Sequence, residues 1–472
     1  MLEVETSVLN ENDKNSYNSI NHLLMNTSSA MRYMEQNLSA SYFPIATHLE
    51  ISDNKTCSYN TTLWREWMVF QEDNPSGITK ADLIVGIPSY NEAANIAYPT
   101  GQSALGLKDY FPDLTTVIIN CDNSSGDGTG HTFMNTETHG IPKMYVSTPR
   151  GIRGRGNNLK NLMRKIIELD AKGALVIDAS LKSITPMWIK NLAEPLFKDF
   201  AFIAPLYVRH KYDGTITNNI AYPLTRSLYG RRVRQPIGGD FGISNKMATL
   251  FLKSPLWYEE VSQYGIDIWM TTTAMNEGLP ICQAFLGKPK ISKPRDPSLD
   301  VGTMFRQMVM TTFNLMGAFH AKWSNTKWSK PTAIFGFGIT DVEAPPAIKV
   351  SREKLYIKFR EGFNNHWDVY RSIFSTENIQ KIREIASLDI DHFEMPVTVW
   401  ARVLFDCAIS YHKKSFERGR LIDVLVPLYY GMTLSFVNKT EGMSHQQAEE
   451  FLEDMCLVFE QSKPYLTYRW GQ

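Results

Sequence analysis

The 472-residue chain lacks an excess of either charge: Lys plus Arg and Asp plus Glu number 49 each. A general binder of nucleic acid or of an anionic membrane surface is expected to carry a basic surplus, so neither partner is indicated. Paired cysteines are missing too. Cys57, Cys121, Cys282, Cys407 and Cys456 are scattered and form no Cys-x-x-Cys unit. That argues against a disulfide framework and a zinc knuckle. No apolar run approaches the ~20 residues that span a bilayer. The N-terminus is polar and acidic, without the basic start and apolar stretch of a secretory signal. These absences lead to the expectation of a soluble, cytoplasmic globular protein. Internal repeats and low-complexity linkers are lacking as well.

What is present is an ordinary globular composition, 43% hydrophobic, in a chain long enough for two or three substructures. Residues 1–80 are polar and rich in Asn and Ser, with one helical pattern at 20–38 whose apolar face would be Leu23, Leu24, Met31, Met34 and Leu38. From residue 81 β-rich runs at 82–87, 115–120, 143–147, 174–178, 201–206 and 280–286 alternate with helical patterns at 92–105, 126–137, 156–172, 186–198 and 266–277. Such alternation predicts βαβ units in an α/β fold, a mainly parallel sheet flanked by helices. A Met- and Phe-rich helix is expected at 301–322, and helices at 351–363, 376–386, 396–437 and 445–462 follow. The division expected is an N-terminal helical extension (1–80), an α/β domain (81–335) and a helical C-terminal region (336–472).

Four segments carry residues suited to chemistry. In Ala174-Leu-Val-Ile-Asp-Ala-Ser-Leu181 an apolar strand runs into Asp178, with Ser180 two residues on. Open α/β sheets bind ligands at that carboxyl edge. In Ile84-Val-Gly-Ile-Pro-Ser-Tyr-Asn-Glu92 a strand leads to a carboxylate able to accept hydrogen bonds from ribose; equally, Asn91 and Glu92 suit the start of a helix. In Val117-Ile-Ile-Asn-Cys-Asp-Asn-Ser-Ser-Gly-Asp-Gly-Thr129 a strand delivers Asp122 to a loop of small residues. An EF-hand calcium loop is excluded there, because Gly126 replaces an oxygen ligand and Phe133 the terminal Glu. A plain turn remains open. In Arg150-Gly-Ile-Arg-Gly-Arg-Gly-Asn-Asn-Leu-Lys160, glycines, arginines and a helix start together favour a diphosphate, or else make an exposed basic turn. The Gly-Lys-Ser/Thr of a Walker loop is not there.

In order, these segments resemble the GT-A glycosyltransferases that use nucleotide sugars. Asp213-Gly-Thr-Ile-Thr-Asn218, Gln235-Pro-Ile-Gly-Gly-Asp-Phe-Gly242 and Gln263-Tyr-Gly-Ile-Asp-Ile268 narrow the likeness to the family of glucosyl-3-phosphoglycerate and mannosylglycerate synthases. The resemblance covers about 81–315, roughly half the chain. It implies that Pro88, Tyr90, Glu92 and Asp122 hold the nucleoside, with Gly154, Arg155 and Lys160 near the diphosphate. Arg155 stands where relatives commonly have Lys. It implies that Asp178 touches the ribose or donor sugar, that Gly238 and Gly239 let backbone approach the sugar, and that Asp240 and Asp267 serve the donor. Arg209 and Thr217 would face a small polar or anionic acceptor. A divalent metal, Mg²⁺ or Mn²⁺, would sit at Ser180, where the family has an acid. Relatives add a metal-binding His, absent from Lys288-Pro-Lys-Ile-Ser-Lys-Pro-Arg-Asp296, so Asp296 is the expected substitute. Retaining hexosyl transfer and a homodimer are further implications. The alternatives are an inverting family-two-like transferase, whose late Gln-x-x-Arg-Trp here reads Leu466-Thr-Tyr-Arg-Trp470, and a non-catalytic nucleotide-sugar-binding protein with a decayed metal site.

Overall fold

The computed structural model describes residues 71–291, 297–298, 301–336 and 343–472. The helix expected at 20–38, the extension as far as residue 70 and Asp296 lie outside the described residues.

The central element is a nine-stranded sheet in the order β1-β4-β3-β2-β5-β7-β6-β8-β9. β2 (Leu83–Ser89), β3 (Thr116–Asp122), β4 (Lys143–Ser147) and β5 (Gly173–Val176) run parallel as predicted. Every residue of β2 and β3 is buried, which explains their unbroken apolar runs: a parallel strand covered on both faces has no polar side to show. β6 (Phe202–Val208) and β8 (Ile281–Pro289) are parallel to each other, and β7 (Phe241–Ser244) runs antiparallel between β5 and β6. The expected fold class is therefore present: a GT-A-type, mainly parallel α/β sheet.

Three strands are additional to those predicted. β1 (Gln71–Asp73) and β9 (Ala333–Phe335) are three-residue edge strands, too short to show a period. β7 has four residues, and Gly242 interrupts its apolar character. The predicted 174–178 strand ends at Val176, so Asp178 lies two residues past the ladder.

The helices flank both faces. α1 (Ala97–Tyr110), α2 (Thr129–Asn135), α3 (Arg155–Glu168) and α4 (Pro186–Ala193) follow β2 to β5 in turn. A π-turn (Thr217–Ala221) opens α5 (Tyr222–Tyr229); this pair was not anticipated, because Pro223 in the first turn reads as a breaker unless the helix begins there. α6 (Asn245–Lys253), capped by Ser244, and α7 (Glu259–Ser262) were also not anticipated. α8 (Ile266–Asn276) carries Asp267 in its first turn. The predicted 301–322 helix is α9 (Gly302–Ala318) followed by the single turn α10 (His320–Trp323).

Next come α11 (Arg352–Asn365), α12 (Trp367–Ile373), which was not anticipated, and α13 (Thr376–Ala386). The single helix predicted over 396–437 is two, α14 (Val397–His412) and α15 (Arg418–Thr440). Lys414 takes a left-handed φ of 54° and ends the first, and the Glu417 carboxylate accepts from the Gly419 and Arg420 amides to start the second. α16 (His445–Trp470) runs through Pro464 well past its predicted end.

α15 corrects the reading of apolar runs. By length and composition it is long and apolar enough to cross a membrane, although 83% of that stretch is buried inside the protein. Pro427, Gly431 and the Tyr429-Tyr430 pair interrupt the run in the sequence.

The described residues belong to one compact unit. Two apolar clusters fill the faces of the sheet, and a third joins α5, α9 and the helices after residue 351. Polar clamps fix that join. The Lys211 ammonium donates to the Thr440 and Met443 carbonyls at the end of α15 (2.6 and 2.7 Å). Arg226 pairs with Glu460 at 2.8 Å, both side chains almost fully buried.

Candidate functional site

β2 and β5 are adjacent and parallel, yet the chain leaves β2 toward β3 on one side and returns to β5 on the other. Their carboxyl ends thus flank a topological switch point, the ligand crevice of open α/β sheets. Two groups of side chains meet along this edge.

The first lies at the ends of β2 and β3. Asp122 is fully buried. Its carboxylate accepts from the Ser89 hydroxyl (2.6 Å), the Ser125 amide and hydroxyl (2.6 and 2.7 Å) and the Tyr145 hydroxyl (3.1 Å). Four donors saturate a carboxylate. The next loop is stitched to the β2 loop: the Asn91, Glu92 and Ala93 amides donate to Ser125, Thr129 and Asp127 at 2.8–3.0 Å. Asn91 turns the chain with φ of 54°. Tyr90 is exposed, and the Arg153 guanidinium lies 4.7 Å from its ring centre. Pro88 is buried within β2. Glu92 accepts from the Asn95 amide at 2.6 Å.

The second group is ionic. Arg155 opens α3 and donates through Nε to Asp267 at 3.0 Å and through Nη2 to the Gly239 carbonyl. Burial works against its charge, but Asp267, Asp178 and Asp240 more than offset this and hold the guanidinium firmly protonated. The glycines beside it have a use the sequence reading did not assign. A Cβ on Gly154 or Gly156 would overlap the carbonyl of Ser262 or Val261. Gly156 also donates its amide to the Gln263 carbonyl at 3.1 Å. The loop is thus glycine-rich because two backbones touch, and the contact sets Arg155 against Asp267 at the head of α8. Lys160, expected near the diphosphate, lies with its ammonium 4.8 Å from the Trp257 ring centre.

Asp178 accepts from the Ser180 amide and hydroxyl, both at 2.9 Å. Its own amide donates to Asp240 at 2.8 Å. Burial pushes the Asp178 carboxyl up, but Lys290, Arg155 and the Ser180 hydrogen bonds outweigh it and hold the group down at about 2. Asp240 is fully buried, and its oxygens accept from the Asp178 amide, the Tyr207 hydroxyl and the Lys290 ammonium. The sequence reading placed Asp240 on donor hydroxyls; the structure gives it three protein donors.

Lys290 is the residue sequence reasoning passed over. It stands one position beyond β8, and its ammonium donates to the Gly238 carbonyl (2.8 Å) and to Asp240 (2.9 Å), with Asp178 3.8 Å away. The chain around it is tied back to the Asp178 loop: Lys182 donates its amide to the Ile291 carbonyl, and the Ile291 amide to the Ser183 hydroxyl, both at 2.9 Å. Gly239, with φ of 89°, sits amid the group; a Cβ there would come within 4 Å of Lys290, Asp267 and Arg155. A signal existed: Lys290 falls in the 288–296 stretch, where the family resemblance implies a metal-binding His.

The donor set of the described residues, which do not include Asp296, falls short of a divalent-cation site. Among the described residues no three His, Cys, Asp or Glu side chains converge. At the expected ligand position the Ser180 hydroxyl is neutral and already donates to Asp178. Mg²⁺ and Mn²⁺ favour carboxylate oxygens, and here one carboxylate faces an ammonium instead.

Beyond β6 a cavity of about 250 Å³ is lined by Tyr207, Arg209, Arg234, Gln235, His445 and Glu449, among others. Arg209 lines this cavity, whereas Thr217 is buried at the start of the π-turn. The helical C-terminal region supplies His445 and Glu449 to this wall.

Fold and site together define a GT-A-type α/β domain with a polar crevice at its switch point. No protein-family profile matches the chain, and no curated protein matches it. Solved structures do. Glucosyl-3-phosphoglycerate synthase from Mycobacterium tuberculosis with Mn²⁺, uridine diphosphate and glucosyl-3-phosphoglycerate is 20% identical, over 51% of this chain and 80% of that one, with a TM-score of 0.38. The complex of that synthase with phosphoglyceric acid is 21% identical over 50% and 80%, with a TM-score of 0.38. Its complex with Mn²⁺, UDP-glucose and phosphoglyceric acid is 19% identical over 51% and 79%, with a TM-score of 0.36.

Proposed function

We propose that this protein is a retaining glycosyltransferase that moves a hexose from a nucleotide sugar to a small hydroxy acid of the glycerate or 3-phosphoglycerate type. One observation carries the reading. Arg155 and Asp267, at the heads of two helices, hydrogen-bond to each other and to the Gly239 carbonyl through Arg155, while Asp178 connects through Asp240 and Lys290 to the adjoining Gly238 carbonyl, all at the switch-point edge. The acceptor class follows the resemblance, with Arg209 in the adjoining cavity as a fitting cation for an anionic acid.

In this reading Pro88, Tyr90 and Glu92 line the nucleoside, while Asp122 shapes their loop from beneath. Asp178 accepts hydrogen bonds from ribose or sugar hydroxyls, and Gly238 and Gly239 admit the sugar ring. Asp240 acts through Lys290 and the Asp178 amide and is a positioning group. Arg155 uses Nε and Nη2 internally, which leaves Nη1 for a phosphate oxygen. As the bond from the anomeric carbon to the diphosphate breaks, negative charge grows on the departing oxygen, and a fixed guanidinium stabilises it without reorganising. The acceptor hydroxyl bonds to the same face and passes its proton to the leaving phosphate oxygen. No enzymic nucleophile is then needed. Asp267 holds Arg155 and borders the donor sugar. A homodimer belongs to the same proposal and is checked by sedimentation.

The inverting alternative leans on the late Arg-Trp pair. Here Arg469 donates to Asp406 and to Tyr465, and Trp470 stacks on His412 and His320, at 4.6 and 5.8 Å between ring centres. That pair is used inside the helical region, which favours the retaining reading. The test is incubation with a panel of nucleotide hexoses and small hydroxy acids, with products identified by mass and anomeric configuration by NMR. A hexosyl acid with the donor's configuration supports the proposal. Inverted product, or no product across the panel, overturns it.

A further inference from the structure

We propose that the Lys290 ammonium supplies, at the donor diphosphate, the positive charge that Mn²⁺ or Mg²⁺ supplies in the solved neighbours, so that donor binding needs no divalent metal. The inference rests on the donor-site reading above. Three observations lead to it. The described residues offer no carboxylate cluster, and a neutral Ser180 stands where a second acid would be required. A fixed cation is already in place: the Lys290 side chain is only 9% exposed and is held at 2.8 Å by the Gly238 carbonyl and at 2.9 Å by Asp240. Those two bonds use two of its three N–H groups. Asp178, at 3.8 Å, is beyond hydrogen-bond reach of the third, so a phosphate oxygen can take it.

The position also suits the charge. Gly239, having no side chain, lets Lys290, Arg155 and Asp267 gather around one backbone position. A diphosphate entering there would meet both an ammonium and a guanidinium, as two charge-assisted contacts. A metal ion at Asp178 would instead share its one carboxylate with a like charge 3.8 Å away.

Two variants separate this from a purely structural pairing of Lys290 with buried Asp240. Lys290→Met combined with Asp240→Asn removes the pair together and leaves no buried lone charge. Ser180→Asp, added to it, restores an Asp-x-Asp pair. UDP binding is measured by calorimetry on the full chain in EDTA and in Mn²⁺, with folding checked by circular dichroism. For the native protein the two dissociation constants should agree within about twofold. The double variant should bind UDP about tenfold to a hundredfold more weakly, the worth of one charge-assisted hydrogen bond, and Mn²⁺ should recover it only once Ser180→Asp is added. Loss of UDP from the native protein on chelation, or undiminished binding by the folded double variant, overturns the inference. Failure to bind either UDP or GDP, titrated in the same way, under every condition overturns the donor-site reading itself, and this inference with it.

Discussion

The two halves of the crevice use acids in opposite ways. At the ends of β2 and β3, Asp122 is saturated by three hydroxyls and an amide and, among the described residues, meets no cation within hydrogen-bond reach. At the ends of β5 and β8, Asp178, Asp240 and Asp267 are held against Lys290 and Arg155. The first arrangement fixes loop shape, as a nucleoside pocket requires. The second concentrates fixed charge where a diphosphate would lie, and fixed charge in a partly buried site acts at higher strength than in water. The lesson is that an acid at a strand end is not a site by itself; its partners decide whether it builds a wall or sets a field.

The comparison predicts different failures in the two halves. The largest effect should follow Arg155→Ala or Asp267→Ala, each lowering transfer by about 10²-fold or more while the protein stays folded, since preorganised charge is lost from the transition state. Kinetics with the productive donor check this; near-native turnover by either variant would break the contrast. Next, Gly154→Ala meets both a φ of 128° and the Ser262 carbonyl. Of order 1–3 kcal/mol of strain should push the α7–α8 segment away and lower transfer through misplacement of Asp267. Denaturant unfolding read beside activity separates the two contributions.

Asp122→Asn should act the other way round. It leaves donors in the buried loop poorly matched and should cost about 1–3 kcal/mol of stability. Nucleoside affinity should suffer only through the loop. The smallest effect concerns pH. Asp178, held down at about 2 against an ordinary 3.8, contributes stability that is fully present above pH 4 and lost as pH falls through about 2. That contribution is about 2 kcal/mol. Asp178→Asn should therefore flatten this part of the acid-denaturation curve.

Much of the shape half was legible in the sequence. Asp122, Ser125, Asp127 and Thr129 lie in one short loop, so the local motif holds one end of each of these contacts. The strands beneath it are long apolar runs, legible as strands with ends off by at most three residues. The charge half was legible only in part. Arg155, Asp178, Asp240 and Asp267 were named, but their pairing spans up to 112 positions and no local pattern encodes it. Lys290 shows why. As sequence it is one of three lysines in a polar stretch; only the antiparallel β7 and the β8 terminus bring it to Asp240. The glycines of 154–156 were seen, yet their cause is contact with a segment about a hundred residues away. The break between α14 and α15 was hidden for the opposite reason, because apolar periodicity continues on both sides of Lys414.

The central claim is that one half of the crevice reads the nucleoside by shape and the other reads the diphosphate by charge. The most direct measurement is calorimetric titration of the native protein with UDP and GDP against uridine and guanosine. The account predicts that one diphosphate binds more tightly than its nucleoside by at least about tenfold, with the difference shrinking as salt is raised and shrinking again in Arg155→Ala. Equal affinities for nucleoside and diphosphate, or a difference that survives Arg155→Ala unchanged, would contradict it.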